Sequence, residues 1–201
     1  MRRNSRTLIA TAGAALAAAL LIAGSLLLWG SAYVHNTVQS QLSAQQISFP
    51  PAAAFAHPKA GSEITPSMIP SVSQYAGQQL LTGQQAEAYA DHFIGVHIAN
   101  MAGGKTYSQL SAASLAQPSN TQLAATVNTV FKGETLRSML LNAYGWWKVS
   151  QITYIISLAA FGLGTVAGLG SIFLFVTGRR NKDEAPMPPT GHEAISPVKT
   201  A

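Results

Sequence analysis

The chain has 201 residues, of which 48% are hydrophobic and only 9% charged, with a formal net charge of +5 and no cysteine. The missing cysteine excludes disulfide staples, thiol chemistry and cysteine metal sites. The basic balance would suggest nucleic acid if it were clustered on a soluble face. Here six of the twelve basic residues flank two apolar runs instead, so nucleic-acid binding is rejected.

The first run, residues 8–29, contains no charge and only Thr11 and Ser25 as polar side chains. It matches the roughly 20 apolar residues that a helix needs to cross a hydrocarbon core. A cleaved signal peptide is the rival reading, with Arg2, Arg3 and Arg6 as its charged start and Gly30-Ser31-Ala32 as a small-residue cleavage site. Signal cores run to about 7–15 apolar residues and this run is longer, which favours an uncleaved anchor. The second run, residues 152–176, is also uncharged and leads to Arg179, Arg180 and Lys182.

Basic flanks set orientation. Residues 30–48 carry no Lys or Arg, whereas Arg2, Arg3 and Arg6 precede the first run. Lys132, Arg137 and Lys148 leave the second run ambiguous by itself, so the first decides. Both termini are expected in the cytoplasm and the central region outside. Trp29 and Tyr33 leave the first span where Tyr144, Trp146 and Trp147 approach the second, forming an expected interfacial belt.

Between the runs the pattern is helical. Val34, Val38 and Leu42 continue the first span outward until Phe49-Pro50-Pro51, and residues 52–70 form a proline-rich extended connector. After a turn over residues 74–81, Thr82 and Gln85 have the spacing of a capping box. Ala86, Ala90, Phe93, His97 and Met101 then predict one buried helical face, stopped by Gly103-Gly104. Thr106 can start a third helix and Ser119 or Asn120 can cap a fourth, with Gly133 as an interruption. Residues 134–148 predict a last amphipathic segment that feeds the second span. No stretch alternates as a strand does. The expected architecture is all-α: residues 1–7 cytoplasmic, 8–29 and 152–177 transmembrane, 30–151 an extracytoplasmic helical bundle, and 178–201 a disordered cytoplasmic tail.

Candidate chemistry is sparse. Residues 99–106 fit a relaxed phosphate-loop pattern, but a helix rather than a strand precedes the glycines, so a Gly-Gly stop followed by a Thr106 cap is preferred and no nucleotide is expected. His92 and His97 stand about 140° apart around a helix and cannot share a metal as an i, i+4 pair would. Glu87 and Asp91 share a face, read here as solvated. No serine lies in a nucleophile motif. Neither catalytic residues nor a cofactor nor a metal site is expected.

Ala160, Gly164 and Gly168 form a small-xxx-small row on the second span, the pattern that lets helix backbones approach closely in lipid. It predicts packing against the first span, with Gly13 and Ala17 available there, or self-association, or contact with another membrane protein. The blocks HNTVQSQLSAQQISFPP (35–51), YAGQQ (75–79), AYADHFIGVH (88–97), GGKTYSQLS (103–111) and GETLRSMLLNAYGWW (133–147) resemble an uncharacterised actinobacterial family of small two-span membrane proteins. The resemblance covers nearly the whole chain except the tail and implies a cell-envelope location. The residues themselves leave three roles as expectations: a non-catalytic accessory or scaffold subunit of a membrane complex, an extracytoplasmic sensing or lipid- or small-ligand-binding module, and, more remotely, a membrane-bound hydrolase using Asp91 with His92 or His97.

Overall fold

A computed structural model describes residues 2–58 and 63–183, with the side chains of 2–4 and 180–183 left aside. Among the described residues the architecture is all-helical, and the only strand-like pairing is an isolated bridge between Ser48 and Gln79. Seven α-helices follow in chain order: α1 (Arg2–Ala44), α2 (Ala52–Ala56), α3 (Ile69–Val72), α4 (Gly83–Tyr89), α5 (Gly95–Met101), α6 (Tyr107–Ala116) and α7 (Thr121–Asp183). A short 3₁₀ turn, Ser73–Tyr75, follows α3, and one π-helical turn, Ala90–Ile94, joins α4 to α5.

The two terminal helices carry the apolar runs. α1 has 43 residues and α7 has 63, each longer than a single crossing requires. Both are long and apolar enough to cross a membrane. Only 11% of the most apolar window of either is buried within the chain, so neither is the covered core helix of a soluble domain. Gly133 does not interrupt α7. Its missing Cβ makes room for Ile98, since a Cβ there would lie 2.7 Å from Ile98 Cδ1. The two segments expected on either side of Gly133 are therefore one helix with the second apolar run.

The chain divides into two compact units. One comprises residues 1–23 and 159–201, described over 2–23 and 159–183, and consists of the α1 start paired with the α7 end. The packing row faces inward in this unit. Ala160 is 9% exposed, a Cβ on Gly164 would meet Leu21 Cγ at 3.1 Å, and one on Gly168 would meet Ala17 Cβ at 3.7 Å. Within this unit the row packs against the chain's own first helix. Gly13 lies opposite Ser171, whose hydroxyl donates to the Ala167 carbonyl oxygen at 2.8 Å.

The second unit, residues 24–158, holds the larger core. Val38 and Leu42 of α1, Phe49, Met68, Val72 and Leu80 of the connecting segments, and Val130, Leu140 and Trp147 of α7 are all buried together. The connector at residues 52–70, expected as extended, contains the short helices α2 and the start of α3, and Phe55 and Met68 anchor it in the core. An aromatic chain runs through this core: Phe49 lies 5.2 Å from Tyr75 and 5.3 Å from Tyr89, and Tyr89 4.8 Å from Phe93, between ring centroids. Residues 184–201, the greater part of the expected tail, lie outside the described residues, while α7 itself continues to Asp183.

Local signals account for the helix boundaries. Thr82 accepts from Gln85 N–H at 3.3 Å, and Gln85 Oε1 accepts from Thr82 N–H at 3.0 Å, completing the predicted capping box. Thr106 and Gln109 repeat the device at the start of α6. Asn120 Oδ1 accepts from Leu123 N–H at 3.0 Å at the start of α7. Gly103 and Gly104 have φ values of 58° and 75°, the left-handed geometry in which glycine ends a helix without steric cost.

Candidate functional site

The predicted face of Ala86, Ala90, Phe93, His97 and Met101 is displaced by one residue in its second half. Ala86, Ala90 and Phe93 are buried as expected, but Ile94, Ile98 and Ala102 continue the face, and Met101 is 39% exposed. The cause is the π-helical turn. It inserts one extra residue, so a spacing of four holds a constant direction where an ordinary α-helix would drift by about 40° per step. His97 consequently stands beside the core rather than within it, and His92 is exposed.

The same turn presents Asp91 to α7. Arg137 Nη2 donates to Asp91 Oδ1 at 2.8 Å and Nε to the same oxygen at 3.2 Å, while Nη1 reaches Glu134 Oε2 at 3.4 Å. Asp91 is therefore ion-paired across two helices and not the simply solvated carboxylate of the sequence expectation. The hydrogen bond to Asp91 raises the Arg137 guanidinium above its ordinary value, against a smaller opposing effect of burial. These residues, with Gly95, Lys105 and Thr106, border a cavity of about 420 Å³. Asp91 is held by arginine, and the geometry joins it to neither His92 nor His97. Tyr89, half-buried against the core, is pushed above its ordinary value by burial first and by the charge of Glu63 second.

A second cavity, about 530 Å³, lies between α1 and α7 within the larger unit and is lined by Leu28, Ser31, Ala32, His35, Ser150, Gln151, Tyr154 and Ile155. Its back wall is tied by two hydroxyl bonds. Ser31 Oγ donates to the Ser150 carbonyl at 2.8 Å, and Ser150 Oγ donates to the Trp147 carbonyl at 2.7 Å. His35 lies against Trp147 with ring centroids 4.0 Å apart and the planes tilted by 35°. Apart from Trp147, and Ser31-Ala32 as part of a small-residue cleavage motif, none of these residues is singled out by the sequence. Ser31 and Ser150 pass for ordinary small residues at span ends, and only their pairing across 119 positions makes them a site.

The expected belt divides. Trp29 and Tyr33 stack at 5.9 Å and are 69% and 63% exposed, and Trp146 is 52% exposed. Tyr144 is half-buried beneath Lys148, whose ammonium lies 5.6 Å from its ring. Trp147 departs from the belt. It is 5% exposed and packs on His35 and on Gly83, its Nε1 making no hydrogen bond within the chain. Of the expected orientation residues, Arg6 and Arg179 are described, the latter exposed. The side chains of Arg2, Arg3, Arg180 and Lys182 lie outside the described ones.

One face of α7 has a different character. At about 100° per residue, Asn128, Phe131, Thr135, Ser138, Met139, Asn142, Trp146 and Val149 share one side of the helix. All are exposed and none is charged. Glu134, Arg137 and Lys148 point elsewhere around the axis, while exposed Lys132, about 20° beyond Met139, borders the stripe near its start. Ile156, also exposed, carries the stripe into the second apolar run. Comparison of the chain with protein-family models, with curated proteins and with solved structures gives no match.

Proposed function

We propose that this chain is a two-pass integral membrane protein of the cell envelope, with both termini cytoplasmic and residues 30–151 outside. Its role in this reading is that of a non-catalytic accessory subunit that docks against a larger membrane protein. The orientation rests on the arginines before the first run and the uncharged segment after it. The resemblance of the outer blocks to small two-span actinobacterial proteins fits the same location.

The observation that carries the docking role is the exposed stripe on α7, which holds no charge of its own and is bordered near its start by Lys132. From Phe131 to Ile156 it spans about 37 Å at 1.5 Å per residue. Phe131, Met139, Trp146 and Val149 are 52%, 67%, 52% and 47% exposed along it. Water-facing helical surfaces normally carry charge, and contiguous exposed apolar patches mark interaction sites. Because the stripe continues into the apolar run, a partner that covers all of it must itself be embedded in the bilayer. The glycine row packs against α1, whereas the residues of the α7 stripe are exposed.

The test places a photo-crosslinking amino acid at Met139 or Trp146 in native membranes, with exposed Gln41 of α1 as the control position. A single discrete protein adduct from the α7 positions and none from Gln41 is expected. Equal, diffuse labelling from all three positions would sink the docking role.

A further inference from the structure

The cavity between α1 and α7 has a polarity gradient. The two helices run antiparallel through it, so ascending numbers on α1 and descending numbers on α7 both lead away from the apolar runs. Leu28 and Ile155 therefore occupy the end nearest the hydrocarbon, and His35, Ser150 and Gln151 the opposite end, with Tyr154 between them. The stacked pair Trp29 and Tyr33 marks the same level of α1, where aromatic side chains sit at a membrane–water boundary.

The hydrogen-bonding capacity of the polar end is unspent in one direction. Ser31 and Ser150 donate their hydroxyl protons to backbone carbonyls and close the back wall. Among the described residues, the side chains of His35, Gln151 and Tyr154 make no hydrogen bond within the chain. Each offers a donor: a ring N–H, an amide NH₂ and a phenol O–H. No carboxylate lines the cavity. A set of donors without an acidic group suits oxygens that only accept, as in a phosphodiester and its neighbouring glycerol esters.

We propose that this groove is a binding site for one outer-leaflet phospholipid, with an acyl chain along Leu28 and Ile155 and the phosphate–glycerol region on Gln151, Tyr154 and His35. A close tilted contact with buried Trp147 holds the imidazole of His35, so one donor is preorganised by the core of the outer domain. The lipid thereby touches both α1 and α7 at the point where they emerge from the apolar runs, and its departure loosens the contact of His35 with Trp147. The site rests on the membrane-span reading and is independent of the docking role.

The experiment uses the full chain in nanodiscs of phosphatidylglycerol and phosphatidylcholine doped with a phospholipid that carries a photoreactive diazirine beside its glycerol. Preferential labelling of peptides spanning 28–35 and 150–155 is expected. Ala32→Trp, which fills the groove from an exposed position, and the pair Gln151→Leu with Tyr154→Phe should each cut that labelling about fivefold or more, the factor carried by roughly one lost hydrogen bond. Ala18→Trp, at an exposed position outside the groove, should leave it unchanged. Competition by a short-chain phospholipid but not by inorganic phosphate assigns the site to a lipid; displacement by phosphate alone overturns it. Labelling spread evenly around both helices and indifferent to Ala32→Trp also overturns it. Extraction of the protein from native membranes by alkaline carbonate would instead overturn the span reading, a separate result.

Discussion

Trp147 of α7 packs its Cβ and indole ring directly over Gly83, the first residue of α4, where no side chain intervenes. Any Cβ at position 83 would collide with the root of the indole, which cannot swing away because His35 lies against its ring. Gly83→Ala should therefore destabilise the larger helical unit by about 1–3 kcal/mol, the usual cost of overpacking a tight core. Gly145→Ala, on the same helix α7 with open space around it, should instead be neutral or stabilising by up to about 1 kcal/mol through helix propensity. Thermal unfolding followed by circular dichroism in mild detergent would separate the two variants. Equal midpoints would contradict the contact.

The pairing of α1 with the glycine row admits a direct chemical check, because the chain has no cysteine of its own. A Cβ on Gly168 would lie 3.7 Å from that of Ala17, inside the range of about 3.5–4.5 Å that disulfides require. The double variant Ala17→Cys with Gly168→Cys should close a disulfide on mild oxidation in membranes, read as a mobility shift reversed by reductant. Ala17→Cys with Gly162→Cys should not, since nothing lies within 4 Å of a Cβ at Gly162. Crosslinking only between two copies of the chain would replace the hairpin with a self-associating row.

The Asp91–Arg137 pair joins the π-helical turn to α7, with both side chains 35% exposed. Solvent screening limits such a pair, so Asp91→Asn should cost about 1 kcal/mol or less. The difference from the parent should shrink in 1 M salt, where the screening length falls to about 3 Å. Arg137 has its folded-state value raised, so its contribution is complete below the ordinary arginine range and would fade only above it. No alkaline loss below about pH 12 is expected from this residue. A variant whose midpoint is insensitive to salt would show that the pair contributes packing alone.

Tyr89 makes an alkaline limb that Arg137 does not. Its folded value is raised by burial and by Glu63, so the neutral phenol is favoured in the native state. The stability tied to that preference is whole below the unfolded value near 10 and is lost as pH climbs from there through the raised folded value. Tyr89→Phe keeps the ring contacts with Phe49 and Phe93 and removes the ionisation. Denaturant midpoints measured from pH 9 to 11.5 should fall less steeply in the variant than in the parent. Parallel curves would show that another group governs the limb.

What the helices of the larger unit conceal from sequence reading is concentrated at one glycine and one turn. Gly133 looks like a helix breaker because glycine costs roughly 1 kcal/mol in a helix interior, yet Ile98 fills the space above it and a long helix carries it through. The π-helical turn at Ala90–Ile94 leaves no mark in a periodicity count, so His97 and Met101 were assigned to a face that Ile98 and Ala102 occupy. The capping residues Thr82, Thr106 and Asn120 were readable because their hydrogen bonds reach only three positions ahead.

The same distinction of range separates what sequence and tertiary structure each decided. The all-helical class, two apolar helices of crossing length, the helix caps, the Gly-Gly stop and a small-residue row were settled by local composition and spacing, since each depends on neighbours within a turn or two. Which partner the row meets, the inward turn of Trp147, the pairing of Asp91 with Arg137 and the groove of Ser31, His35, Ser150 and Gln151 were decided only by folding. Those contacts join residues 46 to 151 positions apart, and their geometry follows from how two long helices and a tightly packed core fit together, which no local pattern encodes.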